Sequence, residues 1–136
     1  MIYNTKTALV IRGDLLPWQV ANVASFLSGG IAGAYPEIVG EPYRDADGRL
    51  YTAMIREPVL VYGATSAELA RTHGRAVARD IRFAIYTEPL FKTMNDADNR
   101  ASVAATPTEK LDLVGLGLHA DRKTIDKITN GLKFLA

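Results

Sequence analysis

Seven side chains in this chain have the types from which a ligand or reaction site is built: Asp14, Asn22, Phe26, Glu88, Asp96, Asn99 and Arg100. Glu88 and Asp96 are carboxylates, and either could act as a general base if held beside a cation and a substrate proton. Arg100 follows Asp96 by one helical turn and is the candidate cation. Asn22 and Phe26 stand at i and i+4, which places them on one stripe of a helix. An aromatic wall with a few convergent polar groups is the usual make-up of a small-molecule pocket. The competing roles are structural: Asp14 as a helix cap, and Asp96, Asn99 and Arg100 as ties within their own loop.

Other patterns in the chain read as structure. Asp45-Ala46-Asp47-Gly48 resembles the start of a calcium loop, but no glutamate stands at the twelfth position, so a turn is expected. Arg71, Arg75 and Arg79 form an i, i+4, i+8 stripe, expected to be a solvated helix face rather than a phosphate track. His73 reads as a core histidine, His119 lies far from it in sequence, and the chain has no cysteine. No metal site or cofactor is expected on those grounds. Trp18 reads as a packing anchor. There is no Ser-His-Asp order, Gly-x-Ser-x-Gly elbow or phosphate loop.

The elements that must position these residues follow from periodicity. Thr7 to Ile11 is a short apolar, β-branched run, expected to be a strand buried on both faces. Pro17 opens a helix, with Asp14 or Leu16 near its cap and Val20, Val23, Ala24, Leu27 and Ile31 as the core stripe. Residues 41–56 read as a hairpin turning at Asp47-Gly48, with Tyr43 and Tyr51 paired across it. Pro58 to Tyr62 is a second buried strand. Thr65-Ser66-Ala67-Glu68 is a capping box for a helix to about Asp80, with Leu69, His73, Ala76 and Val77 inward. Arg82 to Thr87 and Leu111 to Leu118 are the third and fourth strands. A last helix runs from about Asp121 to Asn130 and stops at Gly131. Alternating strands and helices predict one α/β domain over residues 1–136, three-layer α/β/α with a mostly parallel four-stranded sheet. Residues 88–110 interrupt the alternation with a long polar connection, expected to be functional or a surface excursion with a helical turn.

Composition agrees with that class. A length of 136 residues and 48% hydrophobic content suffice for one core. No apolar run is long enough to span a bilayer, so no membrane partner is expected. Met1 to Lys6 show no charged leader or apolar stretch, and with no cysteine the expected location is cytoplasmic. A net charge of +1 gives no global attraction to nucleic acid.

Lys6 to Leu15, and Val114-Gly115-Leu116-Gly117-Leu118 followed by Thr124 to Lys133, resemble the opening and closing segments of the type II peptidyl-tRNA hydrolases. Asp14-Leu15 and Gly33-Ala34-Tyr35 match the ends of that family's first helix segment, D-L-x-M-G-K-G-K-x-A-A-Q-x-x-H-A to G-A-Y, with one extra residue between. Aligned backwards from Tyr35, Asn22 stands where that family has lysine, Phe26 where it has glutamine and Gly29 where it has histidine. The family's Q-D-A-G-x-T motif puts Glu88 at its aspartate, while Thr93 lies one residue beyond its threonine. The resemblance implies a hydrolase-like fold and the tendency of such proteins to form homodimers. The substitutions imply that the hydrolase chemistry is not carried over.

Asp14, Trp18, Asn22, Gly40-Glu41-Pro42-Tyr43, Asp45-Ala46-Asp47-Gly48, Asn95-Asp96 and Asn99-Arg100 also resemble an uncharacterised bacterial family of related fold, with no activity assigned. Two functions remain open. One is a binding module for a small polar or anionic ligand, a nucleotide or an RNA end. The other is a hydrolase of altered chemistry, with Glu88 or Asp96 as base and Arg100 as cation.

Overall fold

The computed structural model describes residues 3–136. Strand β1 (Thr5–Arg12) lies at the centre of the sheet, and its apolar continuity has a direct cause: it is covered on both faces. Ala8 and Val10 pack with Leu69, Ala76, Ile125 and Ile128. Leu9 and Ile11 pack with Val23 and Leu27. One face therefore carries α1 (Pro17–Ala34), and the other carries α2 (Ser66–Ala78) and α4 (Arg122–Ile128).

Helix α1 begins at Leu16 as cap, with Gln19 accepting from the Leu16 amide at 2.9 Å; Asp14 takes no part in the cap. Val23, Leu27 and Ile31 are its buried residues, and Val20 and Ala24 lie half-buried beside them, as the period requires. In α2 the Thr65–Glu68 capping box forms as expected, but the inward face is Leu69, Thr72 and Ala76. Val77 is exposed, and His73 is half-buried with its ring edge-on to Phe83. The inward stripe is thus rotated from the expected one. Thr72 tolerates burial because its hydroxyl donates to the Glu68 carbonyl at 2.7 Å.

A mostly parallel four-stranded sheet is not what forms. The sheet has five strands in the order β5-β6-β1-β4-β7, and the parallel pair in it is β1 with β4 (Val59–Ala64). Strand β6 (Leu113–Asp121) runs antiparallel to both β1 and β5 (Ala84–Thr87), and β7 (Lys133–Phe134) antiparallel to β4. The cause lies in residues 88–112. They do not cross the sheet as a covering helix would but return beside its edge, the Glu88 amide meeting the Asp112 carbonyl at 2.9 Å. A connection of that kind delivers the next strand antiparallel. The fifth strand follows a turn after α4 in which Gly131, at φ +89°, takes the left-handed region and the chain comes back along β4.

Within residues 88–112, a 3₁₀ turn at Glu88–Lys92 is followed by an unexpected helix, α3 (Asp96–Ala104). The Asn95 side chain caps it, accepting from the Asp98 amide at 2.8 Å, and Asp96 and Asp98 favour its positive end. The hairpin forms as expected: β2 (Tyr43–Arg44) pairs with β3 (Leu50–Tyr51), Tyr43 opposite Tyr51. Asp45 accepts from the Asp47 and Arg49 amides at 3.0 Å each, so this carboxylate is spent on the turn.

Two glycines of β6 set how closely α1 can sit. A Cβ at Gly115 would lie 2.6 Å from Val23 Cγ1, and one at Gly117 would lie 3.2 Å from Leu27 Cβ. Gly29, by contrast, has nothing within 4 Å of an added Cβ. We expect Gly115→Ala to lose about 1–3 kcal/mol through overpacking. Gly29→Ala should gain about 0.5–1 kcal/mol through helix propensity. Urea-denaturation midpoints of the two variants, moving in opposite directions, check both.

Candidate functional site

Strand β5 is antiparallel to β6, which is antiparallel to β1, so β1 and β5 point the same way and their following loops leave the same end of the sheet. All seven candidate residues come from segments that follow these two strands, yet they separate into two groups.

The first group gathers on Arg12, the last residue of β1. Its side chain is 19% exposed and meets Asp14 at 2.6 Å, Glu88 at 3.2 Å and Asp112 at 3.8 Å. Burial pulls the guanidinium down, but the hydrogen bond it donates to Asp14 and the charges of Asp14, Glu88 and Asp112 more than offset this and raise it. Arg12 is therefore a fixed cation that holds three loops together. Asp14 and Glu88 are spent on it, and Arg100 is not their partner.

The second group lies around Tyr86 on β5. Asn22, Phe26, Asp96, Asn99 and Arg100 line a groove between α1, β5 and α3, with Leu90, Val103 and Tyr86 in its walls. Its main part has a volume of about 630 Å³, inside the range of small-molecule sites. Asn22 Nδ2 donates to the Tyr86 hydroxyl at 3.3 Å. Burial pushes the Tyr86 phenol up and the Asn22 bond pulls it partly back, with burial prevailing, so it stays protonated at neutral pH. The rings of Phe26 and Phe91 flank Tyr86 at centroid distances of 5.9 and 5.1 Å, and Trp18 meets Phe91 edge-on at 5.8 Å. Phe26 is 58% exposed, an aromatic face turned to solvent at the groove mouth. Asn99 is bonded to the Thr93 hydroxyl, which also reaches the Leu90 carbonyl at 3.0 Å, and the other end of its amide is left to the groove. Asp96 and Arg100 pair with one another on the outer turn of α3.

Helix α3 shows how this groove comes to exist. None of its residues is fully buried, and a helix of nine residues is marginal by itself. It is held by its cap, by the Thr93–Asn99 bond and by half-buried Val103, and it stands off the edge strand β5 instead of closing on it.

Sequence reasoning missed Arg12, Asp112 and Tyr86. Arg12 had a legible sign, a lone charge ending a buried apolar strand at the sheet's carboxyl edge. Tyr86 had none, because a tyrosine in a strand reads as packing. Of the residues read as structural, Arg75 donates to the Ile128 and Asn130 carbonyls, closing the end of α4. His119 is buried with Glu57, 3.1 Å from its carboxylate, and both meet the Thr7 hydroxyl. That cluster ties the segment carrying the hairpin to β1 and β6. Among the described residues no group of three His, Cys, Asp or Glu is placed to hold a metal, and no helix is long and apolar enough to cross a membrane.

A family model described as a protein of unknown function, DUF2000, matches residues 5–136. The chain belongs to the DUF2000 family. Among solved structures it is similar to a protein of unknown function, Atu0240 from Agrobacterium tumefaciens str. C58. The two share 40% identity and a TM-score of 0.96, covering 99% of this chain and 100% of that one. No curated protein matches. Family and neighbour are both described as being of unknown function, and neither description names a peptidyl-tRNA hydrolase.

Replacing Arg12 with methionine should leave Asp14, Glu88 and Asp112 facing one another without a cation. Because those carboxylates are largely exposed, we expect a loss of about 1 kcal/mol at low salt. The loss should shrink toward zero at roughly 1 M salt, where the Debye length is about 3 Å. Urea denaturation of wild type and variant at the two salt concentrations checks this.

Proposed function

We propose that this DUF2000 protein binds a small ligand, with an apolar or aromatic body and a polar end, in the groove between α1, β5 and α3. The observation that supports this best is the convergence of Asn22, Tyr86 and Asn99 inside a groove walled by Phe26, Leu90 and Val103. Polar groups set in an apolar wall orient a ligand, and the apolar wall supplies most of the affinity.

The hydrolytic alternative has less support. It needs Glu88 or Asp96 as a base held beside Arg100 within a cleft; Glu88 meets Arg12 instead, and Asp96, which does pair with Arg100, is exposed with it on the outer turn of α3. No side chain in the groove forms a nucleophile–base pair of the kind that activates a hydroxyl. The resemblance to type II peptidyl-tRNA hydrolases points to the same surface of α1, but Asn22, Phe26 and Gly29 give that stripe no cation and no proton-transfer group. Peptidyl-tRNA should accordingly not be turned over. Release of the peptide at a rate typical of those hydrolases would sink this reading.

Native mass spectrometry of freshly purified protein tests the binding proposal. A bound small molecule, lost in Phe26→Ala and in Asn22→Leu, is the expected result; a bare chain that no metabolite mixture stabilises against heat would overturn it. Arg100→Ala should change stability by less than about 0.5 kcal/mol, since an exposed i, i+4 pair contributes little. The expected change in binding is larger for an anionic ligand than for a neutral one, and calorimetry of the same variant reads both.

A further inference from the structure

The polar groups at the floor of the groove are specific enough to name a class of ligand, an inference that rests on the binding reading above. Asn22 and Tyr86 are joined by one hydrogen bond at 3.3 Å. With the Asn22 amide nitrogen donating, the Tyr86 hydroxyl keeps its own proton to donate, and Asn22 Oδ1 keeps its lone pairs to accept. Turning the amide over exchanges these roles but leaves the same inventory, one donor beside one acceptor. Because the Tyr86 phenol stays protonated at neutral pH, the pair does not become two acceptors. Such a pair complements a ligand edge that carries an acceptor next to an N–H, as a lactam does.

The surroundings fit a flat ring with that edge. Phe26 presents an exposed face at the mouth, and Phe91 lies on the other side of Tyr86. Flat heterocycles stack on such rings with little dependence on identity. Asn99, one end of its amide held by Thr93, offers a further polar group from α3. The charged groups at the rim, Asp96 and Arg100, neutralise one another, so the groove gives an uncharged ligand no penalty.

We infer that the groove recognises a planar heterocycle with a lactam edge, of the kind a uracil or hypoxanthine base presents, through the Asn22–Tyr86 pair. The ring lies against Phe26, its carbonyl accepts from one member of the pair and its ring N–H donates to the other. Methylation of that ring nitrogen removes the donor and leaves the pair with an unmatched acceptor.

Titration of the intact protein with uridine and with inosine, followed by amide and side-chain NMR shifts, tests this. The expected shifts fall on Phe26, Tyr86, Asn99 and Val103. 3-Methyluridine and 1-methylinosine should bind at least about tenfold more weakly, the loss of one hydrogen bond of about 1.4 kcal/mol. Asn22→Leu and Tyr86→Phe should lower uridine affinity similarly while still binding indole, a flat ring without the edge; loss of indole binding would mark a collapsed groove. If indole and benzoate shift the groove while uridine and its methylated form behave alike, the ligand class is wrong and the groove reading stands. If nothing shifts the groove, both fall. Comparing uridine with a three-nucleotide uridylate separates the sources of such a base. Tighter binding of the oligonucleotide assigns a strand end, and equal binding assigns the free nucleoside.

Discussion

Helix α1 can approach the sheet closely because β6 presents bare backbone beneath it. Gly115 and Gly117 leave room for Val23, Leu27 and Ile31, and Gly30 of the helix comes close to Ala84 of β5, where a Cβ would lie 3.3 Å from the alanine's own. That seating fixes the distance from helix to edge strand, and so the reach from Asn22 to the Tyr86 hydroxyl. A larger residue at Gly115 would lift the helix end that carries Asn22, and the groove floor would open.

The second constraint is the route of the chain after β5. Because it returns along the sheet edge, α3 is laid beside β5 with few buried contacts and is separated from it by the groove. Arg12 anchors both ends of the excursion through Glu88 and Asp112 while also holding the β1 loop through Asp14. Asp14 and Glu88 thus serve to fix the frame in which the uncharged amides and the phenol are presented.

Much of the fold was legible in the sequence. The both-faces apolar run of β1, the Leu27 and Ile31 stripe of α1, the Thr65–Glu68 box and the Asp47-Gly48 turn each encode a local preference strong enough to read directly. The direction of β6 was not legible, because it depends on whether residues 88–112 cross the sheet or skirt it, and polar composition is compatible with either. The rotation of the α2 face was hidden for a related reason: Thr72 can be buried because it bonds back to Glu68, and a threonine in a helix carries no mark of that.

The sequence by itself determined that β1 buries both faces, where α1, α2 and α4 begin, and that six of the candidate residues lie on the α1 stripe and the polar excursion. Tertiary structure alone decided how they are used. It joined Asn22 to Tyr86 across 64 positions and gave Asp14 and Glu88 to Arg12 rather than to Arg100. The physical reason is that helical and strand periodicity are local properties of the chain. Which charge neutralises which depends instead on the direction of the strands and the closeness of their packing, and these are fixed only when the sheet has closed under α1.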